Sequence, residues 1–245
     1  MTVIAGKTLP EEDVLASTEF VARLRAQAAG YHDLHPFHVR MNRGTLSRAE
    51  LQCWVANRFY YQRSIPLKDA AIVSNCPELE IRRMWVKRIV DHDGARTGSG
   101  GIESWLKLGE ALGVERDEIF GERRVLPGVR FAVDAYVNFC RTRPWIEAVA
   151  ASLTELFAPG AIQSRIEAFE RHYPWIDPAG LNYFRQRLEH APKDAQYALE
   201  LVVGHCGSRQ EQERAVAALA FKCDVLWAQL DAIDQAGTRP GLGRV

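Results

Sequence analysis

Residues 54–72 read WVANRFYYQRSIPLKDAAI, a helical stretch in which cationic and amide side chains interrupt what should be a buried face. Arg58 and Gln62 lie four residues apart and share that face with Trp54 and Val55, so a guanidinium and an amide point where apolar packing is expected. An unpaired guanidinium in a low-dielectric interior is costly. The stretch therefore needs either an internal carboxylate opposite Arg58 or something anionic that binds there. The helix has a clear start, since Ser47-Arg-Ala-Glu50 is a capping box. Pro66 is expected to bend or break it.

Moving outward toward the N-terminus, residues 11–29 carry Leu15, Phe20, Val21 and Leu24 at helical spacing, with Gly30 as a stop. Residues 31–40, YHDLHPFHVR, read as a loop without helical period. Its His32, His35 and His38 have neither an HExxH pattern nor a companion Cys pair, so they are expected to line or close a cavity rather than hold a metal. On the other side, Pro77 fits the first turn of a helix that runs to Gly94 and carries Arg88 and His92 at i, i+4. Residues 102–112 and 117–120 read as short helical pieces, and residues 128–142 as a helix with Phe131, Ala135, Tyr136 and Phe139 on an apolar face. The nearly all-apolar WIEAVAASLTELF, residues 145–157, belongs in the middle of the molecule. Near its end sit Thr154 and Glu155, and a carboxylate there is either an ion-pair partner or a proton-handling group. A segment with Arg165 opens at Pro159, and a long register from Pro178, which Pro192 can disturb, pairs Tyr183 with Arg187. A second capping box, Ser208 to Glu211, opens a last helix to about Gln235 that carries Lys222. No segment alternates like a strand. The fold class is all-α, with one domain over residues 1–236 and a flexible tail over 237–245.

Lys plus Arg and Asp plus Glu balance at 31 each, so no basic excess draws nucleic acid or a membrane surface. Cys53, Cys76, Cys140, Cys206 and Cys223 form no CxxC pair and read as reduced packing residues. The start of the chain has no signal-like apolar run and no window reaches membrane-span length, which points to the cytoplasm.

Three polar pairs at i, i+4 recur on helices with strong apolar faces: Arg58/Gln62, Arg88/His92 and Tyr183/Arg187. Convergence on one interior cavity explains that recurrence better than three surface patches. The cavity would draw on Arg58, Lys68, Arg88, Arg165, Arg187 and Lys222, with Glu155 as main counter-charge. Guanidinium groups bind carboxylates through paired charge-assisted hydrogen bonds, so a ligand with several carboxylates fits.

The blocks YHDLHPFHVRMNRGTLSRAELQCWVANRFYYQRSIPLKDAAI, RIVDHDG, SLTELFAP, HYPWI and NYFRQRL, spread from about Leu9 to Ile233, resemble the pyrroloquinoline-quinone synthase family. The resemblance implies a haem-oxygenase-like helical bundle, a homodimer, and an oxidase that uses no metal or organic cofactor. It implies closure of the second ring of a polycarboxylate quinone precursor and its oxidation by O2 to pyrroloquinoline quinone (PQQ), with release of hydrogen peroxide. By position in the matching blocks, Tyr31, His32, Arg58, Gln62, Lys68, Arg88, Tyr136, Thr154, Glu155, Arg165 and Lys222 would hold the substrate. His92, Tyr183 and Arg187 would work nearest the chemistry, His92 as general base and the other two stabilising reduced oxygen. A peptide chaperone of the same pathway is a further implied partner. The chain departs from the family at Ile162, where a histidine is usual, and isoleucine cannot donate a hydrogen bond. Two alternatives stand beside the oxidase: a non-catalytic or impaired binding protein, favoured by Ile162, and a di-metal oxidase of the same fold, which needs clustered Glu, His and Asp ligands.

Overall fold

Helix α3, Arg48–Asn75, is the spine of the molecule. Its capping box forms as expected: the Ser47 hydroxyl accepts from the Glu50 amide, and the Glu50 carboxylate accepts from the Ser47 amide. The helix then buries residues on every side, from Leu51 and Trp54 to Ala71 and Ile72, and packs against α4 (Leu79–Asp93) and α7 (Pro127–Thr142) along its length. That all-round burial explains why Pro66 does not break it. Proline removes one ladder bond to the Gln62 carbonyl, but tertiary packing on both flanks keeps the helix continuous. This computed structural model describes residues 13–237, apart from the side chains of 189–193 and 237. The expected tail therefore lies outside the described residues beyond Gly237.

The remaining helices are α1 (Ser17–Ala26), α2 (Pro36–Asn42), α5 (Gly100–Ala111), α6 (Arg116–Phe120), α8 (Trp145–Ala151), α9 (Ala158–His172), α10 (Asn182–His205) and α11 (Arg209–Asp234). There is no strand among the described residues, as expected. None of these helices is long and apolar enough to cross a membrane. The second capping box opens α11, and Gly94 ends α4 at φ 84°, where an added Cβ would meet the Ser99 carbonyl oxygen at 2.2 Å.

Several local expectations need correction. Among the described residues the first helix starts at Ser17, later than expected, because residues 13–16 are non-helical and Leu15 is held through both backbone groups by the Gln212 amide, at 2.9 and 3.1 Å; Glu11 lies outside the described residues. The stretch 31–40 is not a loop: a 3₁₀ turn spans His32–Leu34, and α2 begins at Pro36, with the His35 ring as its N-cap acceptor. Pro77 precedes α4 instead of opening it. The apolar residues 145–157 divide at Ser152 into α8 and a tighter 3₁₀ turn, Ser152–Leu156. On α7 the buried face is Val129, Val133, Tyr136, Val137 and Cys140, and Phe131 is 74% exposed. Helix α10 runs unbroken through residue 192.

Candidate active site

Three apolar clusters make the core among the described residues. One gathers Trp54, Trp105, Phe169 and Phe184, a second gathers Trp85, Leu153, Leu219 and residues 148–151, and a small third gathers Tyr31, Ala161 and Leu226. Residues of the first and third border a polar cavity of about 100 Å³. Five of the six residues of the three polar pairs line it, all but Arg88, and two of the pairs touch directly: the Tyr183 hydroxyl on α10 donates to the Gln62 amide oxygen on α3 at 2.8 Å. Tyr31, His32, Arg58, Gln62, His92, Thr154, Glu155, Ile162, Arg165, Tyr183 and Arg187 all line it. Lys68, Arg88, Tyr136 and Lys222 do not. They form a buried layer behind the wall, in contact with residues that do line it or that neighbour the wall.

The cations divide into two groups. Arg88 is 7% exposed and its charge is compensated: its guanidinium meets Glu155 at 2.6 and 3.2 Å and Asp194 at 2.9 Å, with Asp69 3.9 Å from its Nε, which itself has no hydrogen-bond partner. Lys68 meets Asp69 at 2.6 Å and donates to Ser152 at 2.8 Å. Burial would weaken the ionised forms, but Arg88 and then Arg187 hold the Glu155 carboxyl well below its usual range. Glu155 is thus an ion-pair partner. It is not the sole counter-charge, because Asp69 and Asp194 share that part.

Arg58, Arg165 and Lys222, in contrast, have no carboxylate partner among the described residues. Arg58 donates to the Gln229 amide at 3.1 Å and lies 4.0 Å from the Tyr61 ring centre. Arg165 rests against the rings of Trp54 and Phe184, its Nε has no hydrogen-bond partner, and burial pulls its pKa down to about 10. Among the described residues the choice posed by Arg58 therefore falls against an internal salt bridge.

His38, which the sequence grouped with the cavity-lining histidines, supports Arg165. Its Nδ1 sits 2.9 Å from the His32 carbonyl oxygen, which can only accept, so Nδ1 carries the hydrogen and Nε2 accepts from Arg165 Nη2 at 3.3 Å. His35 is turned elsewhere, toward Asp231 and its capping role. His92 Nδ1 donates to the Arg88 carbonyl at 3.1 Å, which leaves Nε2 as a free base. Burial, and next the charge of Arg187, lower its pKa to about 4. His92, Tyr183 and Arg187 also border an outer cleft with Asp91, Ser99 and Gln186, so these three form the wall between cleft and cavity.

Among the described residues, no three or more His, Cys, Asp or Glu side chains are grouped to hold a metal ion. Sequence reasoning passed over Tyr61, Asp69 and Asp194. Only their three-dimensional neighbours mark them, although an aspartate directly after Lys68 inside an apolar helix was a readable signal.

Buried neutral histidines give a pH prediction. His32, His38 and His92 all have folded pKa values depressed by burial, well below that of the unfolded chain, about 6.5. Below pH 6.5 the unfolded state takes up protons that the folded state does not, so stability falls as pH falls from about 6.5 toward 4, by at most about 1.4 kcal/mol per pH unit for each histidine. Glu155 contributes its loss only lower, below the ordinary carboxyl range. Urea unfolding at pH 7 and pH 5.5 checks this; equal midpoints would contradict it.

The TENA/THI-4/PQQC family model matches residues 21–232. A protein of Pseudomonas aeruginosa named pyrroloquinoline-quinone synthase is 56% identical over 218 residues, 89% of this chain and 87% of that one. One of the same name from Cronobacter sakazakii is 52% identical over 230 residues, 94% and 92% of the two chains. Among solved structures, a Shewanella denitrificans domain of unknown function with a haem-oxygenase-like fold superposes with a TM-score of 0.76 at 13% identity, over 92% of this chain and 95% of that one. A TenA homologue of Pseudomonas syringae gives 0.72, also at 13%, over 94% and 100%. The fold is haem-oxygenase-like.

Proposed function

The chain belongs to the TENA/THI-4/PQQC family, and on that premise, with relatives named pyrroloquinoline-quinone synthase, we propose that it is an oxidoreductase performing the last step of PQQ formation. The observation that carries this reading is the pair Arg58 and Arg165, two cations without a carboxylate partner among the described residues, facing the same cavity as His92, Tyr183 and Arg187. Two unmatched guanidinium groups suit a ligand that brings its own carboxylates.

The chemistry follows from the polarity of the cavity. Substrate carboxylates sit at Arg58 and Arg165, while the Arg88–Glu155 end is already neutralised and accepts the less charged part of the ring system. His92 Nε2 takes a proton from the substrate as ring closure and oxidation proceed. Arg187 and the Tyr183 hydroxyl hold charge that develops on oxygen. O2 arriving through the outer cleft meets these three groups first. Each two-electron oxidation of substrate by O2, with two protons, yields one hydrogen peroxide. The reduced precursor is itself the electron donor, so the protein's part is positioning and charge stabilisation, without a metal or organic cofactor. Work as a homodimer in the cytoplasm, with the pathway's peptide chaperone as a partner, belongs to the same proposal. An exposed stripe of Leu79, Val86 and Val90 along one face of α4 supports self-association.

Oxygen uptake by chelator-treated protein on adding the bicyclic precursor tests the function. The oxidase consumes O2; a carrier binds without uptake, and a metal enzyme loses its activity to the chelator.

Ile162 is the observation on the carrier's side. It is 9% exposed on the cavity wall, one turn from Arg165. Ile162→His should speed the final oxidation at least several-fold in single-turnover spectra, since a positioned proton donor contributes about 10²-fold or more. It should also cost about 1–3 kcal/mol of stability for the buried imidazole. Equal rates with identical intermediates would show that this position does not limit the reaction.

A further inference from the structure

Lys222 is the most deeply buried cation around the cavity, 1% exposed, and it does not border that space. Tyr61 stands between. The Lys222 ammonium lies 2.8 Å from the Tyr61 hydroxyl oxygen, 4.1 Å from the Tyr61 ring centre and 3.8 Å from that of Tyr136. Tyr61 in turn lines the cavity beside Arg58 and Gln62, and Arg58 lies 4.0 Å from its ring centre. Two cations therefore bracket one phenol, and neither has a carboxylate partner among the described residues.

Hydrogen-bond inventory fixes what the phenol can do. The Lys222 Nζ donates to the Tyr61 oxygen and leaves the hydroxyl hydrogen unspent, while burial and the charges of Arg58 and Lys68 push the lysine's pKa well below its ordinary value. Among the described residues the Tyr61 hydroxyl has no other hydrogen-bond partner. The open space it borders is the cavity. Burial holds the phenol well above its ordinary pKa, so it keeps its proton. We propose that Tyr61 is the group that touches the ligand on this wall, donating its hydroxyl to a ligand oxygen, and that Lys222 acts on the ligand only through Tyr61, as a positioning residue. The N–H donated by Lys222 polarises the phenol and pins its rotation, and the phenol carries that polarity to a place the lysine does not reach.

This inference rests on the reading of the cavity as a PQQ-forming site, and its test separates the two. PQQ itself is the probe, titrated anaerobically into the wild type, Tyr61→Phe, Lys222→Met and the double variant, with affinity read by fluorescence and the bound chromophore by absorbance. Removing a charge-assisted donor weakens binding about 10-fold or more. Each single variant is expected to lose about that factor and to shift the bound absorption band in the same direction. The double variant is expected to be no weaker than the weaker single one, because both remove the same contact. Multiplying losses, or a further loss from Lys222→Met in the Tyr61→Phe background, would mean that Lys222 reaches the ligand on its own and would overturn the proposal. Wild-type affinity and spectrum in Tyr61→Phe would overturn it equally, and that variant keeps the ring and its cation contacts should Lys222→Met fail to fold. If the wild type neither binds PQQ nor consumes O2 with the precursor, the functional reading itself fails.

Discussion

Arg88→Met is expected to destabilise the protein by about 3–5 kcal/mol, the cost of removing one partner from a buried ionic network. Among the described residues Arg88 is the only side chain that touches all three of Glu155, Asp194 and Asp69. Without it, Glu155 keeps Arg187 at 3.6 Å, Asp69 keeps Lys68 and the Trp85 indole at 2.9 Å, and Asp194 loses the cation that counters its burial. Carboxylates left facing one another in a dry interior must take up protons or separate. The loss should shrink when Glu155→Gln is added, since one of the stranded charges is then gone. Urea unfolding of the single and double variants measures both effects. A cost below about 1 kcal/mol for Arg88→Met would mean that the network is solvated and that the account of a compensated cavity end is wrong.

His92→Asn is expected to lower kcat by about 10²–10⁴-fold, the range for loss of a positioned general base. The asparagine amide can still donate to the Arg88 carbonyl, so the end of α4 should hold its place and the fold should persist. In the free enzyme His92 is deprotonated above about pH 4. Activity should therefore rise with pH through that region, and an anionic ligand moves the limb upward by favouring the imidazolium. The variant should lack the limb altogether. A pH–rate profile of the two proteins tests this, and an unchanged kcat with the same acid limb would remove His92 from the proton transfer.

The helical class, both capping boxes and the convergence of the three polar pairs were legible because each is a local pattern. The residues at i and i+4 on α3, α4 and α10 declare a shared direction, and burial of that direction forces a shared cavity. What escaped was decided by tertiary neighbours. Pro66 reads as a break from local sterics alone, yet packing on all sides of α3 outweighs one lost ladder bond. His35 and Pro36 together make a helix start, which the run of histidines obscured. Phe131 looked like core by type and is on the solvent side of α7, where only the phase set by Val129, Val133 and Val137 decides. Asp69 and Asp194 could not be assigned to Arg88, because their pairing crosses helices far apart in sequence. For the same reason the sequence set Lys222 in the cavity, while in the structure Tyr61 borders the cavity in front of it.

Anaerobic addition of the bicyclic precursor, followed by a pulse of O2 and watched by absorbance with peroxide assayed at the end, tests the central claim most directly. The account predicts a bound precursor spectrum that stays unconverted without O2, then growth of the PQQ band with hydrogen peroxide formed in step. A bound spectrum that persists after O2, with no oxygen consumed and no peroxide, would contradict it and leave a binding protein in place of an oxidase.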